Sequence, residues 1–111
     1  MKNDNYQADS AHFLEAQRLA FRAVREVSKH IREGWTETQA AKLIDTYLCD
    51  HGVRSLFHHG FAWFGERAGF EGMKAYNDFM PSRRVLLPGN AYILDVAPIY
   101  HGYVADIGFT G

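Results

Sequence analysis

Ile93-Leu94-Asp95-Val96-Ala97-Pro98-Ile99-Tyr100-His101-Gly102-Tyr103-Val104-Ala105-Asp106-Ile107-Gly108 places two aspartates in an otherwise apolar run, one on each side of a Tyr-His-Gly-Tyr segment. A carboxylate inside an apolar strand loses solvation that hydrogen bonds rarely restore, so two of them in one hairpin call for a compensating charge. If His101-Gly102 forms a two-residue turn, Tyr100 faces Tyr103, Ala97 faces Asp106 and Asp95 faces Gly108. Side chains alternate along a strand, so Ile93, Asp95, Ala97 and Ile99 share one face with Val104, Asp106 and Gly108. Leu94, Val96, Pro98, Tyr100, Tyr103, Ala105, Ile107 and Phe109 then form an apolar opposite face. The two carboxylates become diagonal neighbours about 7–8 Å apart at the backbone, close enough to share a divalent cation. A three-residue loop would break the parity and send them to opposite faces. Taken alone, the stretch admits two readings. Either the aspartates hold a metal, or Asp95 caps a neighbouring element while Asp106 ends a strand, each partly wet.

The rest of the chain sets bounds. Its 111 residues allow one small domain, and 47% hydrophobic with 23% charged residues is an ordinary soluble composition. A net charge of −1 makes no global electrostatic case for nucleic acid or an anionic membrane. The single cysteine, Cys49, is consistent with a reducing compartment and reads as a small buried apolar residue at a helix end. The N-terminal residues contain no apolar targeting segment, and no run reaches the length of a membrane span. A cytoplasmic location is the default expectation.

Working backwards from the hairpin, Pro88-Gly89-Asn90 is a turn and residues 83–87 read as extended. Residues 66–82 show only a weak helical pattern, near 73–79. Residues 53–59 read as a strand, followed by the aromatic, glycine-containing run Gly60-Phe61-Ala62-Trp63-Phe64-Gly65. Thr36-Glu37-Thr38-Gln39 matches a capping box for a helix running to about residue 51, burying Ala40, Leu43 or Ile44, and Tyr47, with Gly52 as its stop. A longer helix spans about 10–32, with Phe13, Ala16, Ala20, Val24, Val27 and Ile31 recurring at helical spacing and Gly34 as its stop. Arg18, Arg22, Arg25 and Lys29 form a stripe interspersed with Glu15 and Glu26, the pattern of a solvated face. The class is α+β: two helices, then an antiparallel sheet.

Few residues compete with the aspartates for chemistry. Cys49, His51, His58 and His59 match no zinc-knuckle spacing, and adjacent strand histidines point to opposite faces. One of His58 and His59 therefore faces a pocket, or is satisfied by a backbone carbonyl. No nucleophile elbow, phosphate loop or dinucleotide fingerprint is present, which leaves metal-activated water as the most economical chemistry.

Together these residues resemble the pita-bread metallopeptidase family, which includes methionine aminopeptidase, aminopeptidase P, prolidase and the metal-free hydrolase creatinase. The resemblance runs from Glu33-Gly34-Trp35-Thr36-Glu37 through Ile44, Phe57-His58-His59-Gly60 and Leu87-Pro88-Gly89-Asn90 to the aspartate hairpin. It implies that Asp95 binds one of two divalent metals (manganese, cobalt, zinc or iron) and that Asp106 bridges both. It makes His59, with His58 as the competing alignment, similar to a histidine beside the substrate pocket. Asn77 and Asp78 stand where the family has a substrate-contacting histidine, and Ile107-Gly108 where a hydroxyl residue usually follows, so no role is carried to them. The family's remaining ligands, a histidine and two glutamates, come from a second half that would follow Gly111. On this reading residues 1–111 are one partial domain, the N-terminal half of a pita-bread fold, expected to be inactive alone, with an unpaired strand edge suited to association, including a homodimer. The implied whole is an aminopeptidase or dipeptidase acting on a peptide. Its alternatives are a binding module using Phe61, Trp63 and Phe64, and a metal-free carbon–nitrogen hydrolase of creatinase type.

Overall fold

The computed structural model describes residues 2–70 and 72–111, with side chains from Ser10 onward. Helices α1 (Lys2–Ser28) and α2 (Glu37–Asp50) precede strand β1 (Ser55–Phe64), two 3-10 turns (Gly65–Gly69 and Tyr76–Phe79), and strands β2 (Tyr92–Tyr100), β3 (Tyr103–Val104) and β4 (Ile107–Thr110). All strand pairings are antiparallel: β2 is central, with β1 on one side and β3 then β4 on the other. Both helices pack on one face of this sheet, and the core lies between them.

Helix α1 begins earlier and ends sooner than the apolar periodicity predicts. Its last turn tightens, with Lys29 and His30 amides donating to the Glu26 and Val27 carbonyls. The Arg32 guanidinium then binds the Lys29 and Ile31 carbonyls, satisfying groups that a further turn would have used. Gly34 is therefore not the helix stop; at φ +90° it turns the chain, and its amide donates to Leu86. Ala16, Leu19, Ala20, Ala23, Val24 and Val27 form the buried face, while Phe13, expected in the core, is 42% exposed. The arginine stripe is exposed, as its charge pattern implies.

Helix α2 starts where the capping box places it: the Gln39 amide donates to Thr36 Oγ1 at 3.1 Å, and the Thr36 amide to Gln39 Oε1 at 2.8 Å. At its other end Gly52 takes φ +90°, its amide bonds Cys49 and the Val53 amide reaches back to Leu48, which closes the helix. Ala40, Ile44 and Leu48 are buried; Tyr47 is only partly so, and Cys49 is exposed rather than buried.

The first residue of α2, Glu37, is fully buried. Its carboxylate accepts from the Phe64 amide (2.9 Å), the Ser82 amide (3.0 Å), the Ser82 hydroxyl (2.7 Å) and Arg67 Nε (2.9 and 3.0 Å). One side chain thus ties the helix to the end of β1, to the first 3-10 turn and to the incoming chain near residue 82. That chain runs antiparallel to residues 34–38, through the Leu86 amide to Trp35 and the Glu37 amide to Arg84, although only Thr36 and Val85 form a bridge. The expected turn follows: the Asn90 amide donates to Leu87, with Pro88 and Gly89 (φ +79°) between them.

Strand β1 continues through the aromatic run instead of ending at residue 59. Ala62 and Phe64 face the helices. Phe61 and Trp63, on the other face, are covered by rings from the 3-10 turns: Phe70 and Phe79 over Trp63, Tyr76 against Phe61. Trp63 Nε1 donates to the Phe79 carbonyl at 2.8 Å. Phe61, Trp63 and Phe64 are all buried, which makes the cluster a core rather than a docking surface.

Two substitutions test this account by chemical denaturation. Glu37→Ala leaves Arg67 and three other donors without their acceptor and is expected to cost about 3 kcal/mol or more. Gly60→Ala would place a Cβ 2.7 Å from Ile44 Cγ2 and 3.2 Å from the Ala41 carbonyl oxygen, and is expected to cost about 1–3 kcal/mol through overpacking.

Candidate metal centre

The hairpin has the register that its turn demands. Tyr100 pairs with Tyr103, Ile99 with Val104 and Asp95 with Gly108, and both His101 (φ +53°) and Gly102 (φ +81°) adopt positive φ, the signature of a type I′ turn. Leu94, Val96, Pro98 and Ala105 are buried on the helix side. Asp95 and Asp106 share the opposite face, with Ala97 and Gly108 beside them adding no bulk.

The third member of the cluster is His58, and strand irregularities put it there. In β1, Leu56 pairs with Pro98, His58 with Ala97 and Phe61 with Asp95, so one extra residue is inserted before His58 and another before Phe61. Pro98 has no amide to offer, which accounts for a break in the ladder beside it. The second bulge is pinned by Asp45 of α2, which accepts from the Gly60 amide at 2.7 Å and His59 Nδ1 at 3.0 Å. Gly60 permits this because its α-carbon lies against Ile44. Without that bulge, His58 and Phe61 would face opposite ways; with it, their rings stack at 4.3 Å, nearly parallel.

Ligand-capable atoms of His58, Asp95 and Asp106 lie within 4.8 Å of one another. His58 Nε2 is 3.2 Å from Asp95 Oδ1, yet that oxygen is buried and makes no hydrogen bond. Burial of the His58 ring works against its protonation, but Asp95, the His59 carbonyl and Asp106 outweigh it and raise the pKa above the ordinary histidine value. Burial also raises the pKa of Asp106; Asp95 adds to the rise and His58 opposes it. Negative charge is crowded here, and an unsatisfied buried carboxylate oxygen fits a cation. The donor set, one imidazole and two carboxylates, is that of a divalent transition ion.

The two histidines separate as strand geometry requires. His58 joins the aspartates, whereas His59 is largely exposed on the α2 side, bound to Asp45 and away from the cluster. Cys49 and His51 also lie outside the cluster. Asp78, where no role was assigned, accepts from the Lys74 and Ala75 amides at 2.9 Å, which hold its pKa below the usual carboxylate value. Spacing alone did not reveal Asp45 and Glu37 as organising residues. The available signal was Gly60 inside a strand pattern, the mark of a bulge or a close backbone approach.

This fold and this pair of aspartates define a class. The sequence matches metallopeptidase family M24 over residues 11–111, and the chain belongs to that family. Its fold, the pita-bread fold of this family, is shared with several solved structures. The X-Pro aminopeptidase of Thermotoga maritima MSB8 has a TM-score of 0.80 and 22% identity, over 94% of this chain and 28% of that one. The Xaa-Pro dipeptidase of Bacillus anthracis also gives 0.80 and 22%, over 93% and 27%. The prolidase of Pyrococcus furiosus gives 0.78 and 20%, over 91% and 30%. The chain thus spans less than a third of each of these proteins. No curated protein sequence matches it. No helix among the described residues is long and apolar enough to cross a membrane.

The two structural devices can be tested separately from any reaction. Inserting one glycine between His101 and Gly102 lengthens the turn and should abolish divalent-metal uptake in calorimetry while the far-ultraviolet circular dichroism is retained. Asp45→Ala, which touches neither aspartate, should cost about 1–3 kcal/mol in denaturation because the His59 and Gly60 donors lose their acceptor.

Proposed function

We propose that the complete protein is a metal-dependent hydrolase that removes the N-terminal residue of a peptide or splits a dipeptide, with Asp95 and Asp106 among the ligands of two divalent metal ions. The observation that carries this reading is the pair of carboxylates on one sheet face, one with a buried oxygen that has no hydrogen-bond partner. Membership of family M24 supports the reaction class. Two of the proteins that share the fold are named for X-Pro substrates, which supports proline as the second residue of the substrate.

The chain's own residues divide the work. Asp95 sits within the central strand between β1 and β4, a rigid position suited to fixing one ion. Asp106 lies just outside β4, in the break between β3 and β4, and is exposed, so its carboxylate is free to meet two ions at once. Bound metal would supply Lewis-acid polarisation of the scissile carbonyl and a water made acidic enough to act at neutral pH. Phe61 and Trp63 continue the same sheet face as an apolar wall beside the aspartates. Buried beneath Tyr76, Phe70 and Phe79, that wall excludes water from one side of the cluster.

The test is hydrolysis of Xaa-Pro dipeptides and of peptides with proline in the second position, by the complete protein. Lewis-acid stabilisation is worth several kcal/mol, so chelation and Asp106→Ala should each lower kcat/KM by about a thousandfold or more. Manganese, cobalt or zinc should restore the chelated enzyme but not the variant. Undiminished turnover by metal-free protein would instead establish the creatinase-type alternative.

A further inference from the structure

We propose that His58 is itself a metal ligand, and that with Asp95 and Asp106 it forms a three-residue site, within this chain, for a divalent transition ion. This rests on the reading of the aspartates as metal ligands and adds a nitrogen donor to them.

The two nitrogens of the His58 ring have different surroundings. Nδ1 lies 2.5 Å from the His59 carbonyl oxygen. A carbonyl oxygen only accepts, so Nδ1 carries a proton. In the neutral ring Nε2 is then a bare lone pair, and it stands 3.2 Å from the equally electron-rich Asp95 Oδ1, with no hydrogen bond formed by that oxygen. Two lone pairs at that distance repel unless a proton or a metal cation lies between them, and a metal held there also draws on Asp106.

The spacing suits a metal. Two ligand atoms about 2.0–2.2 Å from one ion are about 2.8–3.6 Å apart at octahedral or tetrahedral angles. The 3.2 Å separation falls in that range, and Asp106 comes within the same 4.8 Å cluster. A backbone carbonyl on Nδ1 with Nε2 presented to the metal is also the usual support for a ligating histidine, since it fixes both tautomer and ring plane. The ring is held further by its stack on Phe61, and its side chain is only 11% exposed. An imidazole with two carboxylates favours zinc, cobalt, manganese or ferrous iron over magnesium and calcium, which prefer all-oxygen sites. His59, held by Asp45 on the other side, provides an internal control.

The experiment uses the unsubstituted chain labelled with nitrogen-15, titrated with zinc and followed through long-range imidazole correlations. His58 Nε2 is expected to move to the position of a metal-bound nitrogen at one equivalent, with His59 unmoved and excess magnesium without effect. In calorimetry His58→Ala and the larger His58→Gln should each weaken zinc binding by about tenfold or more. If zinc binds, Asp95→Ala or Asp106→Ala abolishes it, and His58 neither shifts nor matters, the proposal is overturned while the aspartate site stands. If zinc does not bind the unsubstituted chain, the three-residue site is overturned, while the aspartate reading stands or falls separately on chelation of the complete protein. The spectrum of the unsubstituted protein decides the matter even where a His58 variant does not fold.

Discussion

A fully buried carboxylate, that of Glu37, fixes how helix α2, the sheet and the long connection meet. It stands at the first turn of α2, where the helix dipole favours negative charge, and it gathers donors from three other segments. Burying a carboxylate is costly unless every lone pair finds a donor, and here two amides, a hydroxyl and a guanidinium provide them. The end of β1 and the return of the chain near Ser82 are therefore fixed relative to α2 by polar geometry as well as by apolar packing. Because β1 is anchored at Phe64, the register of its earlier residues against β2 is anchored with it.

A second carboxylate, Asp45, acts two turns further along the same helix. It holds the His59-Gly60 bulge, and so the orientation of His58, from the opposite side of the sheet. The site is thus assembled by two kinds of turn. A tight hairpin brings the aspartates together, and a bulge one strand away carries the imidazole to them. Helix α2 supports the bulge without adding a residue to the cluster.

How much of this was legible in the sequence follows from the range of each interaction. The hairpin, its turn and the shared face of Asp95 and Asp106 depend on alternation and on the preferences of His-Gly, both local, and the register agrees with them. The capping box and the Pro88-Gly89 turn are local in the same sense. The end of α1 depended on where Arg32 would place its guanidinium, and the length of β1 on a tryptophan reaching a carbonyl sixteen residues away. Which of His58 and His59 would face the aspartates was decided by bulges that arise from Pro98 in the partner strand and from contact with Ile44, neither visible from the pattern around the histidines.

The type I′ turn has a consequence for how such a chain can vary over evolutionary time. Between Asp95 and Asp106 each residue added or removed exchanges one face of the sheet for the other, so gene lineages that keep the site are confined there to length changes that preserve parity. From Gly65 to Phe79 the described residues, which carry the two 3-10 turns, pair with no strand and have no such parity to preserve. Insertions and deletions among relatives should therefore gather there, and that tract is where the chemistry at the sheet face can be retuned without disturbing the carboxylates.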